Sequence, residues 1–146
     1  MEESVDFIES IWRNFEIGDI EPGQMSPLNL AYIGDCVYEM IIKSYLLKKG
    51  NMQVNKLNKM TSDMVKAVTQ SKLIAELEED FTEEEMQIYK RGRNAKSYTS
   101  AKNASKLEYR RATGFEALIG YLFLKGEYER MNHLVKKGLI KLELYK

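Results

Sequence analysis

Two carboxylate side chains interrupt helical segments that are otherwise largely apolar. Asp35 lies in residues 30–39, which read LAYIGDCVYE, and Glu116 lies in residues 113–124, which read TGFEALIGYLFL. A charged group rarely enters a protein core unless it is paired or bound to a metal. Two carboxylates on two packed helices could together hold Mg²⁺, a hard cation that prefers oxygen ligands and supports phosphodiester cleavage. In the simpler alternative, each acid pairs with a nearby base or lies at a helix surface, and Arg110 or Arg111 could be such a base.

Small residues next to both acids indicate that their helices pack closely. Gly34 precedes Asp35 and costs a helix about 1 kcal/mol relative to alanine, so a packing or access reason is expected. Gly120 permits a close helix neighbour beside Glu116. Glu39 lies four residues after Asp35 and therefore on the same helical face.

The elements that must position these residues are predicted to be helices, so the fold class is an all-α helical bundle. No alternating strand pattern stands out, and both prolines lie at or before residue 27. Ser26 is a predicted helix cap with Pro27 at the first helical position, and Gly50 is the predicted end of that helix. Thr82 and Glu85 form a predicted capping box for a helix that ends around Gly92. Apolar periodicity predicts further helices over residues 4–15, 53–60, 62–78, 105–125 and 127–144, with a loop at 92–104.

The composition is that of one globular domain. The chain has 146 residues, of which 44% are hydrophobic and 30% charged, and this suits a single core. Cys36 and His133 are the only residues of their types, which excludes an intrachain disulfide and a zinc site built from several cysteines or histidines. No apolar run is long enough to cross a membrane, and the acidic start is the reverse of a signal peptide. These features predict a cytosolic protein.

The formal net charge is zero, but this zero is the sum of strong local charges. Residues 76–85 contain seven acids and no base, whereas residues 90–111 contain eight bases and one acid, a local charge of +7. A basic segment of this kind is an electrostatic footprint for phosphate, and binding through it should depend on salt. The alternative is a solvated surface stretch that balances the acidic one before it.

Three segments, in this order, resemble the ribonuclease III family. Residues 32–35, YIGD, are similar to the family's signature, and residues 115–120, FEALIG, are similar to its second carboxylate helix. Between them, residues 90–97, KRGRNAKS, resemble the loop of the compact Mini-III branch. Members of that branch lack the double-stranded-RNA-binding domain of their larger relatives. The resemblance covers residues 25–135.

The resemblance implies an all-helical endonuclease domain over residues 25–146, preceded by an N-terminal extension at residues 1–24. It implies a homodimer whose two sites cleave the two strands of double-stranded RNA with Mg²⁺. By analogy with the family, the expected substrate is the precursor of 23S ribosomal RNA in a bacterium. A ribosomal protein that shapes this RNA is a candidate partner, and no membrane is expected to be involved.

The resemblance also assigns roles to the carboxylates. Asp35 and Glu116 match the family's catalytic and metal-binding acids, and Glu39 is a candidate for an added ligand or supporting group. Ala31 and Thr113 stand where larger relatives carry a glutamate and an aspartate. The metal site is therefore expected to contain fewer carboxylates than the sites of those relatives.

The polar residues of the predicted loop suit double-stranded RNA, which proteins recognise through phosphates, 2′-hydroxyls and A-form shape. Arginine makes bidentate contacts to phosphate, and serine and asparagine suit hydroxyls. The predicted RNA-binding residues are Arg91, Arg93, Asn94, Lys96 and Ser97. Without an appended binding domain, the affinity should be modest and steeply dependent on salt.

Two other functions are compatible with the sequence. A catalytically silent RNA-binding or ribosome-assembly factor on the same fold would explain why the predicted metal site has fewer carboxylates. A helical protein-interaction module would leave the charge of residues 90–111 and the Gly34-Asp35 step unexplained. Cleavage of a long RNA duplex in Mg²⁺ separates the enzyme from both.

Overall fold

A computed structural model describes residues 6–96 and 105–146. This part of the chain contains seven α-helices and no strand, which confirms the all-α prediction. The helices are α1 (Phe7–Asn14), α2 (Pro27–Leu47), α3 (Val54–Val65), α4 (Ala67–Leu77), α5 (Glu83–Asn94), α6 (Lys106–Leu124) and α7 (Tyr128–Lys141), with short 3₁₀ turns at Pro22–Gln24 and Glu78–Asp80. No helix in the described ranges is both long enough and apolar enough to pass through a bilayer.

Helix α6 forms the centre of the bundle, and α2, α4, α5 and α7 all pack on it. From Ala112 to Phe123 every residue is buried except Glu116, which is partly exposed. A helix that is apolar all round is buried on all sides, so a single acid in it marks the point where the helix approaches the surface. Helix α1 contributes Ile8 to the same core. The domain boundary at residue 25 stays a prediction.

The predicted helix starts are confirmed. Ser26 Oγ accepts a hydrogen bond from the backbone N–H of Asn29 at 3.2 Å, and Pro27 occupies the first helical position. Thr82 and Glu85 form both bonds of the capping box, at 2.9 and 3.1 Å. These caps depend only on neighbours in the chain, which is why the local sequence predicts them.

The predicted boundary between α3 and α4 is wrong. Helix α3 continues to Val65 instead of ending at residue 60, and the break falls at Lys66, whose backbone is extended. The Thr69 hydroxyl donates to the Asp63 carbonyl at 2.6 Å, and the Gln70 amide donates to the Val65 carbonyl at 2.8 Å. Side chains from α4 thus satisfy the last carbonyls of α3, and apolar periodicity carries no sign of such bonds.

The predicted loop also begins too early, because α5 continues through Gly92 and Arg93 to Asn94. A Cβ atom on Gly92 would lie 2.8 Å from Ala117 Cβ and 2.9 Å from Gly114 Cα. Gly92 therefore permits close contact between α5 and α6 and does not end its helix. As a result, the basic end of α5 lies beside the turn of α6 that carries Glu116.

Candidate functional site

Helices α2 and α6 cross at two glycines with their backbones in contact. A Cβ atom on Gly34 would lie 1.7 Å from the Glu116 carbonyl oxygen, and one on Gly120 would lie 2.0 Å from the Leu30 carbonyl oxygen. No residue with a side chain fits at either position, which confirms the predicted packing reason for Gly34 and the close neighbour beside Gly120. Because Asp35 follows Gly34, the crossing brings the carboxylates of Asp35 and Glu116 together.

The carboxyl group of Asp35 lies beside that of Glu116, close enough for the two to share a hydrogen bond. Burial, followed by the hydrogen bond and the negative charge of Asp35, raises the pKa of Glu116 to about 8. Asp35 itself is exposed. Two negative charges held this close repel each other, which is why the neighbouring carboxylate favours the protonated form of Glu116.

The alternative in which each acid pairs with a base is not supported. Within residues 6–96 and 105–146, neither Asp35 nor Glu116 forms an ion pair with lysine or arginine. Arg111 instead donates to Ser71 Oγ at 3.5 Å. An unpaired carboxylate in a largely buried position is costly, and a bound cation is the usual way to offset that cost.

Sequence reasoning missed Gln70, which is only 2% exposed on α4. Its amide nitrogen lies 3.3 Å from Glu116 Oε2 and 2.8 Å from the Val65 carbonyl oxygen. The hydrogen bond from Gln70 opposes the rise in the pKa of Glu116, because an N–H donor favours the charged carboxylate. Gln70 stands between Thr69 and Ser71 in a polar stretch of α4, so nothing in the sequence set it apart.

The third candidate ligand lies apart from this pair. Glu39 is exposed and forms an ion pair with Lys43 at 3.6 Å. Among the described residues, no three aspartate, glutamate, histidine or cysteine side chains form a group that could hold a metal ion. Thr113 lies one turn before Glu116 and donates its hydroxyl to the Tyr109 carbonyl at 3.0 Å. The described part of the chain therefore offers two carboxylates at this point, and these donors fit a hard cation that keeps several waters or takes ligands from its substrate.

The predicted RNA-binding residues lie at the C-terminal end of α5. Arg91, Asn94 and Lys96 are exposed. Arg93 is half-buried, with its guanidinium 5.6 Å from the centre of the Tyr89 ring and its Nε donating to Asn94 Oδ1 at 3.3 Å. The remaining predicted residue, Ser97, lies outside the described residues, as does the rest of the predicted loop to residue 104.

The raised pKa of Glu116 predicts how stability depends on pH. In the unfolded chain this carboxyl titrates near 4.5, and in the folded protein near 8. Between these values the folded state holds a proton that the unfolded state has lost, so the free energy of unfolding should fall as pH rises, by on the order of 3 kcal/mol. Thermal unfolding of the metal-free protein between pH 5 and pH 8 measures this change.

Two controls isolate Glu116 in that experiment. Glu116→Gln should flatten the pH dependence, whereas Glu39→Gln should leave it unchanged. Millimolar Mg²⁺ should also flatten it, because a bound cation stabilises the ionised carboxylate. An unchanged slope in Glu116→Gln would mean that another group titrates.

Most of the chain is similar to proteins of one family. Residues 28–127 match the family described as Ribonuclease III domain. A Clostridium tetani protein named Mini-ribonuclease 3 is 54% identical over 114 residues, which are 77% of this chain and 76% of that protein. Mini-ribonuclease 3 from Brevibacillus brevis is 42% identical over 123 residues, 84% of this chain and 92% of that protein. A crystal structure of a Fusobacterium nucleatum protein is 33% identical, with a TM-score of 0.74, and the match covers 83% of this chain and 96% of that one.

Proposed function

Because this chain belongs to the ribonuclease III family and is an endoribonuclease for double-stranded RNA, we propose that Asp35 and Glu116 are its catalytic carboxylates. The predicted resemblance to the Mini-III branch is confirmed by the relatives named above. Family members depend on a divalent metal, and Mg²⁺ is the ion that we propose here. The observation that carries the proposal is the contact between two carboxyl groups that no base among the described residues neutralises.

The two acids have different environments, which suits different tasks. Asp35 is exposed, so its carboxylate is accessible to a phosphate of the RNA backbone. Glu116 lies behind it, largely buried, and is held in place by the glycine crossing. When bound by both, Mg²⁺ would supply the positive charge that activates water and stabilises the leaving oxygen.

The proposed reaction is hydrolysis of one phosphodiester bond in each strand. The oxygen of water forms a new bond to phosphorus, and the bond from phosphorus to the 3′-oxygen breaks. The water oxygen stays on the 5′-phosphate, and a proton goes to the 3′-oxygen. The products are a 5′-phosphate end and a 3′-hydroxyl end.

A cleavage assay tests this function against the silent-factor alternative. Wild-type protein is incubated with a long RNA duplex, with the single strand and with a DNA duplex, each in Mg²⁺ and in EDTA. We expect cleavage of the RNA duplex in Mg²⁺ alone, with 5′-phosphate ends on the products. Binding of the duplex without cleavage under Mg²⁺, Mn²⁺ or Co²⁺ would instead favour a catalytically silent RNA-binding or assembly factor.

The RNA contacts are proposed for the end of α5. Arg91 and Lys96 are exposed there and lie near the turn that carries Glu116. The double variant Arg91→Ala/Lys96→Ala should bind duplex RNA about tenfold or more weakly, and the slope of log affinity against log salt should fall by about 1 to 2, as expected for lost phosphate contacts. Filter binding at several salt concentrations measures both quantities.

A matched pair of lysines serves as the control for that experiment. Lys48→Ala/Lys49→Ala removes the same charge at the far end of α2, about 20 Å from Asp35 at 1.5 Å per residue. Affinity and salt slope should stay close to those of the wild type. Equal losses in both double variants would indicate general attraction by positive charge and no defined contact.

The finer assignments rest on the family and on one exposed surface. We propose a homodimer, because Leu28, Tyr32 and Cys36 are exposed along one face of α2, and Tyr32 is 83% exposed. The proposed substrate is the precursor of 23S ribosomal RNA in the cytoplasm, with a ribosomal protein as a candidate partner that shapes the RNA. The name shared by the relatives, Mini-ribonuclease 3, supports ribonuclease activity, and the substrate and partner are proposed from the family resemblance.

A further inference from the structure

The side-chain amide of Gln70 bridges the end of α3 and the carboxylate of Glu116. Its amide nitrogen carries two hydrogens, and it lies within hydrogen-bond distance of the Val65 carbonyl and of Glu116 Oε2. The Val65 carbonyl determines the orientation of the amide, because the flipped form would place two oxygens 2.8 Å apart. One N–H group is therefore directed at the carboxylate of Glu116.

The other end of the amide is unsatisfied. Gln70 Oε1 is buried and has no hydrogen-bond partner among the described residues. An unsatisfied buried acceptor is destabilising, so termination of α3 alone does not explain an amide at this position. Thr69 terminates α3 in a similar way, through the Asp63 carbonyl, without such a cost.

We propose that Gln70 is a positioning residue that holds Glu116 ready for the metal ion. The inference rests on the proposed function of Asp35 and Glu116. An N–H donor on Oε2 restrains the carboxylate and stabilises its negative charge, while the amide itself brings no positive charge that would repel a cation. A lysine or arginine at this position would neutralise the acids and compete with the ion.

Mn²⁺ binding in the absence of RNA tests this inference, because Mn²⁺ prefers the same oxygen ligands and its binding is visible by electron paramagnetic resonance. Gln70→Met keeps the length of the side chain and removes its polar groups, and Gln70→Asn is too short to span both acceptors. Both should bind Mn²⁺ about 10- to 100-fold more weakly than the wild type. The Mg²⁺ concentration for half-maximal cleavage should rise in parallel, while the affinity for duplex RNA stays unchanged.

Thr69→Val is the matched control, because it removes the neighbouring bond between α4 and α3 without touching Glu116. Wild-type Mn²⁺ affinity in Thr69→Val, with loss in both Gln70 variants of similar thermal stability, supports the inference. Wild-type affinity in the Gln70 variants overturns it, and so does an equal loss in Thr69→Val. If the wild type neither binds Mn²⁺ nor cleaves RNA, the proposed function itself fails.

Discussion

Replacing Asp35 by asparagine or Glu116 by glutamine should slow cleavage of an RNA duplex by about 10³-fold or more. Each change keeps the shape of the side chain and removes a negative charge from the proposed metal site. Two carboxylates meet there in the described part of the chain, so the loss of either leaves a single acid to hold the ion. Removal of one essential member of a catalytic unit typically costs this much or more. Single-turnover rates at saturating protein and Mg²⁺ measure the effect.

Both variants should still fold and bind RNA. Asp35 is exposed, and glutamine at position 116 removes the charge that burial disfavours. Glu116→Gln should therefore be at least as stable as the wild type at pH 8 without metal. Glu39→Gln serves as the control for charge alone, because Glu39 pairs with Lys43 and, among the described residues, forms no metal-binding group with the two acids. Cleavage at the wild-type rate in Glu116→Gln would exclude Glu116 from the reaction.

Replacing Gly34 by alanine should destabilise the fold strongly, although alanine is the better helix former by about 1 kcal/mol. The added Cβ would lie 1.7 Å from the Glu116 carbonyl oxygen. Because this oxygen belongs to the backbone, no side-chain rotation can relieve the clash. Overpacking of this kind costs about 3 kcal/mol or more, which exceeds the gain in helix propensity. The melting temperature should fall by about 10 °C or more, and cleavage should be lost as α2 and α6 separate.

A glycine elsewhere in the chain provides the comparison. A Cβ on Gly23 meets nothing within 4 Å, so Gly23→Ala should change the free energy of unfolding by about 0.5 kcal/mol or less. Gly120→Ala should resemble Gly34→Ala, because its Cβ would lie 2.0 Å from the Leu30 carbonyl oxygen. A Gly34→Ala protein with wild-type stability and activity would show that the crossing of α2 and α6 has room for a side chain.

The parts of the fold that depend on neighbouring residues could be predicted from the sequence. Ser26 with Pro27, and Thr82 with Glu85, act through bonds spanning three residues, and the structure contains them. The pairing of Asp35 with Glu116 could be anticipated because a lone acid in an apolar helix needs a partner, and nearby glycines indicate where helices meet. The catalytic roles of these acids were predicted from the family resemblance and remain to be tested by mutation.

What could not be predicted depends on contacts between distant segments. Gly92 looks like a helix end, yet it lies inside α5 because α6 packs against it. The break at Lys66 is stabilised by side chains from the following helix. Gln70 lies 46 positions before Glu116 in the chain, and their contact arises only when α4 packs on α6. In each case the residue type was visible in the sequence but its partner was not.

The claim that Asp35 and Glu116 act as one unit is tested most directly by a double-variant cycle. Single-turnover cleavage of one long RNA duplex is measured for the wild type, Asp35→Asn, Glu116→Gln and the double variant, at saturating protein and Mg²⁺. Residues that hold one ion together lose their function together, so the double variant should be no slower than the slower single variant. Losses that multiply in the double variant would mean that the two acids act independently, and this would contradict a shared metal site.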